Sequence, residues 1–126
     1  MNDADAAITS LAADEVIREE FKKFGYYTVD APITEVLTDS DGEASTPITT
    51  ADLGIIFINS AVCDNANYAL MKHNGDPGDQ LYFLETELLQ AETDAKVMWI
   101  VGNLPPGSPT CNGQWAERYN LIIERF

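Results

Sequence analysis

The chain has 126 residues, of which 45% are hydrophobic, and its 21 acidic and 7 basic side chains give a formal net charge of −14. Such a chain can bury a core within one domain or part of one, but it lacks the Lys and Arg needed to bind nucleic acid or anionic lipid. No run approaches the ~20 apolar residues of a membrane span, and the acidic residues 1–7 do not resemble a signal peptide.

The first half of the chain predicts a helix, a short strand and a polar segment. Ser10 is a favoured N-cap and Gly25 a favoured helix end, so residues 11–24 predict a helix, followed by a strand at 26–29. Residues 30–52 are rich in Thr, Ser, Asp and Pro, with a short strand predicted at 33–37. Residues 39–42 predict a solvated turn rather than a calcium loop, because the glycine and closing glutamate are misplaced.

The second half predicts a strand, a helix and a second strand. Residues 53–58 form an apolar run typical of a strand buried on both faces, and residues 64–71 predict a short helix. Pro77 suits a first helical turn, with Asp76 or Asp79 as its cap. One apolar helix face follows, made of Leu81, Leu84, Leu88 and Ala91.

Residues 97–101 then predict a buried strand, and residues 115–126 predict a final amphipathic helix with apolar side chains at spacings of three and four. A strand, a helix and a strand in this order predict a parallel pair with a right-handed crossover. The predicted fold class is therefore α/β, with a parallel βαβ unit at about 53–101.

The strand at 97–101 ends abruptly in a loop that contains Gly102, Asn103, Pro105, Pro106 and Gly107. Ligands of open α/β sheets bind outside the carboxyl ends of the strands. This loop is therefore the candidate functional site. By itself Asn103 has a simpler interpretation, in which its side chain stabilises the turn.

Several motifs in order resemble the acid sphingomyelinase branch of the calcineurin-like metallophosphoesterases. The Gly-Asn-Leu-Pro-Pro-Gly loop is similar to the family's Gly-His-(Ile/Val)-Pro-Pro-Gly. The remaining similar segments span residues 10–126, with a poor fit at 30–52. They are Gly25-Tyr26-Tyr27, the strand ending at Asn59 with Cys63, the helix with Asp76-Pro77 and Gln80-Leu81, and the helix with Trp115 and Tyr119.

The resemblance implies a partial metallophosphoesterase-like domain covering residues 1–126, whose parent would be a layered α/β sandwich. It further implies zinc as the cofactor and a phosphodiester or sphingolipid as the substrate. Two-metal hydrolysis requires several Asp, His and Asn ligands from different strand ends. Here Asn103 occupies the family's metal-binding His position, and an amide oxygen suits hard cations better than zinc.

Most of the family's other ligand motifs are absent. The single histidine, His73, precedes a predicted helix in the wrong order of letters, and a lone histidine does not make a metal site. We therefore expect the chain alone to bind no zinc and to lack phosphodiesterase activity. The alternative is a non-enzymatic α/β binding or interaction module that keeps only the scaffold.

The two cysteines, Cys63 and Cys111, are by composition as consistent with buried thiols as with a disulfide. The resemblance implies that they pair, and also implies a secreted or lysosomal parent protein. Since an incomplete sandwich leaves apolar faces uncovered, we expect exposed apolar side chains on strand 97–101 or helix 115–126 and a tendency to self-associate.

Overall fold

A computed structural model describes residues 3–31, 33–35, 48–51, 53–70 and 75–126. Three α-helices and five β-strands lie in these ranges. In chain order they are α1 (Asp3–Phe24), β1 (Tyr27–Asp30), β2 (Ile33–Glu35), β3 (Ile48–Ala51), β4 (Leu53–Phe57), α2 (Gln80–Thr93), β5 (Val97–Val101) and α3 (Gly113–Arg125). Short 3-10 helices at Ser60–Cys63 and Pro77–Asp79 precede α2.

The main sheet has three strands in the order β1-β4-β5. Strand β5 runs parallel to β4, from the pair Leu53 and Val97 to the pair Phe57 and Val101, while β1 pairs antiparallel to β4. Strands β2 and β3 form a separate antiparallel pair. The predicted α/β class and the parallel βαβ unit at 53–101 are confirmed, since α2 connects the two parallel strands.

The core lies between one face of this sheet and the helices α2 and α3. All four apolar positions predicted for α2 are buried there, together with Ile56 of β4 and Trp115 of α3. The 3.6-residue spacing of α2 therefore predicted its buried face correctly.

Asp76 caps α2, because its carboxylate oxygens accept hydrogen bonds from the backbone N–H groups of Leu81 and Tyr82, each at 2.9 Å.

Two helix predictions were wrong. Helix α1 begins at Asp3 rather than after Ser10, because the acidic and alanine-rich residues before Ser10 contain no helix breaker. Residues 64–70 form turns instead of a helix: Asp64 bridges to Cys111, and its carboxylate accepts a hydrogen bond from the N–H of Ala66. The long-range bridge and the local hydrogen bond both compete with helical hydrogen bonding.

Strand β5 was predicted to be buried, and this was also wrong. Its side chains alternate, with Met98 and Ile100 packed against the core and Trp99 left 58% exposed. A continuous apolar run does not say whether a layer covers both faces of the strand. The predicted exposure of apolar side chains on β5 and α3 is confirmed, and Leu121 and Phe126 are exposed on α3 or at its end.

Some predictions fall on residues whose structure is not described. The turn at 39–42 and His73 lie outside the described residues. Within the described ranges, no helix has the length and apolarity required to cross a membrane.

Candidate functional site

The start of the loop after β5 is held by a buried serine. Ser60, at the carboxyl end of β4, is fully buried, and its hydroxyl donates a hydrogen bond to Oδ1 of Asn103 at 2.9 Å. The same hydroxyl oxygen accepts the backbone N–H of Leu104 at 2.6 Å. The amide oxygen of Asn103 is thus bonded to the scaffold, and the loop is linked to the neighbouring parallel strand.

Gly102 permits this close contact. A Cβ atom at this position would lie 3.0 Å from Oγ of Ser60 and 3.2 Å from Cγ1 of Ile58, so a side chain would require these neighbours to shift by a few tenths of an ångström. Gly107 serves a different purpose, since its φ of +85° favours glycine and lets the chain reverse after the two prolines. Pro105 and Gly107 are exposed, and Pro106 is half-buried.

The end of the loop is held by a disulfide. Cys63 and Cys111 are joined with their Cα atoms 4.8 Å apart, which is the pairing that the resemblance implies. Backbone hydrogen bonds reinforce the link: the N–H of Asn65 donates to the carbonyl of Thr110, and the N–H of Asn112 donates to the carbonyl of Cys63. The loop 102–112 is therefore fixed at both of its ends.

A second polar pair supports the exit of β4. Gln80 is buried at the start of α2, where its amide nitrogen donates to the carbonyl of Asn59 and its amide oxygen accepts the N–H of Asn59. The Asn59 side chain donates to the carbonyl of Phe24 at 3.1 Å. Asn59 and Gln80 belong to segments that resemble family motifs, whereas no sequence signal distinguished Ser60.

Tyr26 lies on the side of this region where α1 ends. Its hydroxyl donates a hydrogen bond to the carbonyl of Gly78 at 2.9 Å. Burial raises the pKa of the Tyr26 phenol above its usual value, with additional contributions from the negative charges of Asp79, Asp76 and Glu20. The phenol is therefore kept neutral as a hydrogen-bond donor.

The residues at the loop do not fit a zinc centre. Oδ1 of Asn103, the residue that the resemblance places at a ligand position, already accepts the hydroxyl proton of Ser60. Across the described part of the chain, no three His, Cys, Asp or Glu side chains are grouped so that they could hold a metal ion. The site contains hydrogen-bonding groups that fix a loop.

Fold and site together define a class: an α/β unit with a disulfide-tied loop at the carboxyl ends of two parallel strands. Over 74 residues, or 59% of its length, the chain is similar to sphingomyelin phosphodiesterases. The identity is 31% with sphingomyelin phosphodiesterase B of Dictyostelium discoideum, 35% with the sphingomyelin phosphodiesterase of Bos taurus, and 34% with that of Homo sapiens.

The similarity to these sphingomyelin phosphodiesterases is partial in both directions. The matched segment spans only 12%, 12% and 11% of the Dictyostelium, bovine and human proteins, respectively. No protein-family model matches the chain. The chain therefore contains a sphingomyelinase-like segment, and the activity of whole sphingomyelin phosphodiesterases does not transfer to it on this similarity alone.

Proposed function

We propose that the chain is part of a metallophosphoesterase domain of the calcineurin-like type, within a protein related to sphingomyelin phosphodiesterases, and that alone it is a scaffold without catalytic activity. The observation that carries this proposal is the 74-residue similarity, at up to 35% identity, to proteins of that name. The parallel βαβ unit and its carboxyl-end loop support it, because that is where open α/β sheets bind ligands.

The parent protein would act on a phosphodiester such as a sphingolipid, with zinc as its metal. The chain's own part in that reaction would be to hold the loop 102–107 rigid through Ser60 and the disulfide. A secreted or lysosomal compartment is supported by the disulfide between Cys63 and Cys111, since disulfides persist in oxidising compartments.

A second candidate function is a non-enzymatic binding module built on the same scaffold. The inward-turned oxygen of Asn103 favours it, because this oxygen stabilises the loop instead of facing a ligand. The two candidates differ in what surrounds the segment. A catalytic parent needs the missing ligand motifs elsewhere in the same protein, whereas a binding module does not.

The first experiment measures zinc by mass spectrometry in the purified chain, together with hydrolysis of bis-p-nitrophenyl phosphate in added zinc. We expect no stoichiometric zinc and no turnover above the buffer blank. Bound zinc with turnover would contradict the scaffold role and show that other groups complete a metal site.

A chimera tests the family relationship itself. The corresponding segment of an active sphingomyelin phosphodiesterase is replaced by residues 53–126 of this chain, once with Asn103 and once with Asn103→His. We expect both chimeras to fold, by circular dichroism, and only the Asn103→His chimera to recover zinc and sphingomyelin hydrolysis. Equal inactivity and equal lack of zinc in two folded chimeras would refute the relationship.

A further inference from the structure

Helix α3 begins with the residue pair Asn112-Gly113, in which Asn112 is the N-cap. An asparagine followed by glycine is prone to deamidation, because glycine has no side chain to shield its own backbone nitrogen. That nitrogen gives up its proton and bonds to Cγ of the asparagine, the C–N bond of the side-chain amide breaks, and ammonia leaves. Water then opens the resulting succinimide to aspartate or isoaspartate. Asn112 is exposed, so water can reach it.

The fold does not require a glycine at position 113. Gly113 does not have a positive φ. A Cβ atom built on it would meet nothing within 4 Å beyond its chain neighbours and the backbone of its own helix. Residues with higher helix propensity would therefore fit at this first helical position. The effect specific to glycine here is chemical, since it leaves the nitrogen that follows Asn112 unshielded.

The folded chain holds Asn112 in a geometry that opposes ring closure. Its ψ of 125° turns the nitrogen of Gly113 away from the Asn112 side chain, whereas the ring needs the two close together. Its Oδ1 accepts the N–H of Gln114 at 2.9 Å. Its backbone N–H donates to the carbonyl of Cys63, and its carbonyl accepts the N–H of Ala116 at 3.0 Å. The side chain and both backbone groups of Asn112 are thus restrained.

The disulfide supports this geometry from the preceding residue. Cys111 is covalently joined to Cys63, which is buried. The disulfide fixes the backbone directly before Asn112, and the carbonyl of Cys63 is the acceptor for the Asn112 N–H. Without the disulfide, the start of α3 has fewer ties and opens locally at a lower free energy. Local opening frees both the ψ angle and the side chain of Asn112.

We propose that Asn112 is a deamidation site that the disulfide between Cys63 and Cys111 keeps closed, and that reduction of the disulfide opens. Isoaspartate adds one carbon to the backbone at the cap of α3, so the cap and the pairing with Cys63 cannot re-form as before. Trp115 and Ala116, both buried in the core, follow closely in the chain. Deamidation therefore turns a reversible reduction into a lasting loss of α3 packing. This site is independent of the proposed phosphodiesterase relationship.

Mass spectrometry of the aged chain tests the proposal. The full chain is incubated in mildly alkaline buffer, once oxidised and once with dithiothreitol, and is then reduced and briefly digested with trypsin. Trypsin releases Asn112 within residues 97–118, and it releases the second Asn-Gly pair of the sequence, Asn74-Gly75, within residues 73–96. The isolated peptide 97–118, incubated in the same buffer, gives the rate for an unrestrained Asn112.

We expect Asn112 to deamidate about tenfold or more slowly in the oxidised chain than in the free peptide, since the usual contribution of a disulfide corresponds to at least that factor. Reduction should remove most of this protection and raise the rate at Asn112 relative to the rate at Asn74. Equal rates in the oxidised chain and the free peptide would overturn the proposal. An unchanged ratio of the two rates on reduction would also overturn it, because reduction would then act through general unfolding.

The variant Gly113→Ala separates the chemistry from the folding. A methyl group fits the open space at this position and leaves the cap residue in place. It should suppress most of the deamidation in the reduced chain, because it shields the attacking nitrogen. After ageing in the reduced state and reoxidation, the unmodified chain should melt at a lower temperature than before, whereas Gly113→Ala should recover its original melting temperature. Deamidation of Asn112 at the same rate in both chains would overturn the proposed chemistry.

Discussion

The two faces of the main sheet are built from the same apolar strands but have opposite surroundings. On the inner face, which α2 and α3 cover, Ile56 is fully buried. Its neighbour Ile55 lies on the outer face, opposite these helices, in the same row as Trp99, which is 58% exposed. The same residue types thus form a core on one side and an accessible surface on the other. The difference shows that apolar sequence specifies a strand, while the neighbouring layer determines its burial.

The layer on the inner face is also held by covalent and polar ties. The disulfide joins the exit of β4 to the residue just before the cap of α3, and Ser60 joins the exits of β4 and β5. Helix α3 is capped by Asn112, whose side chain accepts the N–H of Gln114 at 2.9 Å. Four perturbations, from the strongest to the weakest, test whether stability resides on this side.

Removing the disulfide should cause the largest loss. The double variant Cys63→Ser and Cys111→Ser opens a loop between residues 48 positions apart, and the chain-entropy model predicts a cost of about 4 kcal/mol in the free energy of unfolding. Urea denaturation measures it. Dithiothreitol should destabilise the unmodified chain similarly and leave the double variant unaffected. A loss below ~1 kcal/mol would show that α3 is held without the covalent tie.

Truncating two adjacent isoleucines compares the faces directly. Ile56→Ala should lower the free energy of unfolding by about 3 kcal/mol, because it opens a cavity in the core. Ile55→Ala loses the same strand propensity and should cost only about 1–2 kcal/mol. Urea denaturation measures both losses. Equal losses would contradict the contrast between the faces.

Removing the Ser60 hydroxyl should weaken the loop that was the candidate site. Ser60→Ala leaves the N–H of Leu104 and the amide oxygen of Asn103 without their partner, at a cost of about 1–3 kcal/mol. A double-mutant cycle with Asn103→Ala isolates the coupling between the two side chains. Strictly additive losses would show that the Ser60–Asn103 hydrogen bond contributes nothing to stability.

Alkaline pH should produce the smallest effect. The folded pKa of Tyr26 is raised above the ordinary value of a tyrosine, about 10, so the unfolded chain releases this proton at lower pH than the folded chain does. The contribution of Tyr26 to stability is therefore complete below pH ~10 and is lost as pH rises through the folded pKa. Tyr26→Phe should cost about 1 kcal/mol in the free energy of unfolding at neutral pH. It should also reduce the fall of the melting temperature with pH above pH ~10. If the melting temperature of Tyr26→Phe falls with pH as steeply as that of the unmodified chain, other groups cause the loss of stability at alkaline pH.

The sequence predicted the site only in part. The loop Gly102–Gly107 was identified correctly as the exit of a strand, because glycine and proline end a strand in any context. The role of Asn103 depended on a partner 43 residues away, Ser60, which no local pattern reveals. Its family-like position suggested a ligand, whereas its hydrogen bond makes it a tie between two strand exits.

The sequence by itself determined the α/β class, the parallel unit at 53–101, the buried face of α2 and the position of the loop. Each follows from local periodicity or from residues that restrict the backbone locally. Only the tertiary structure decided which face of β5 is covered, that residues 64–70 form turns, and that Ser60 and Gln80 are buried. These features depend on contacts between residues distant in sequence, whose energies no single segment contains.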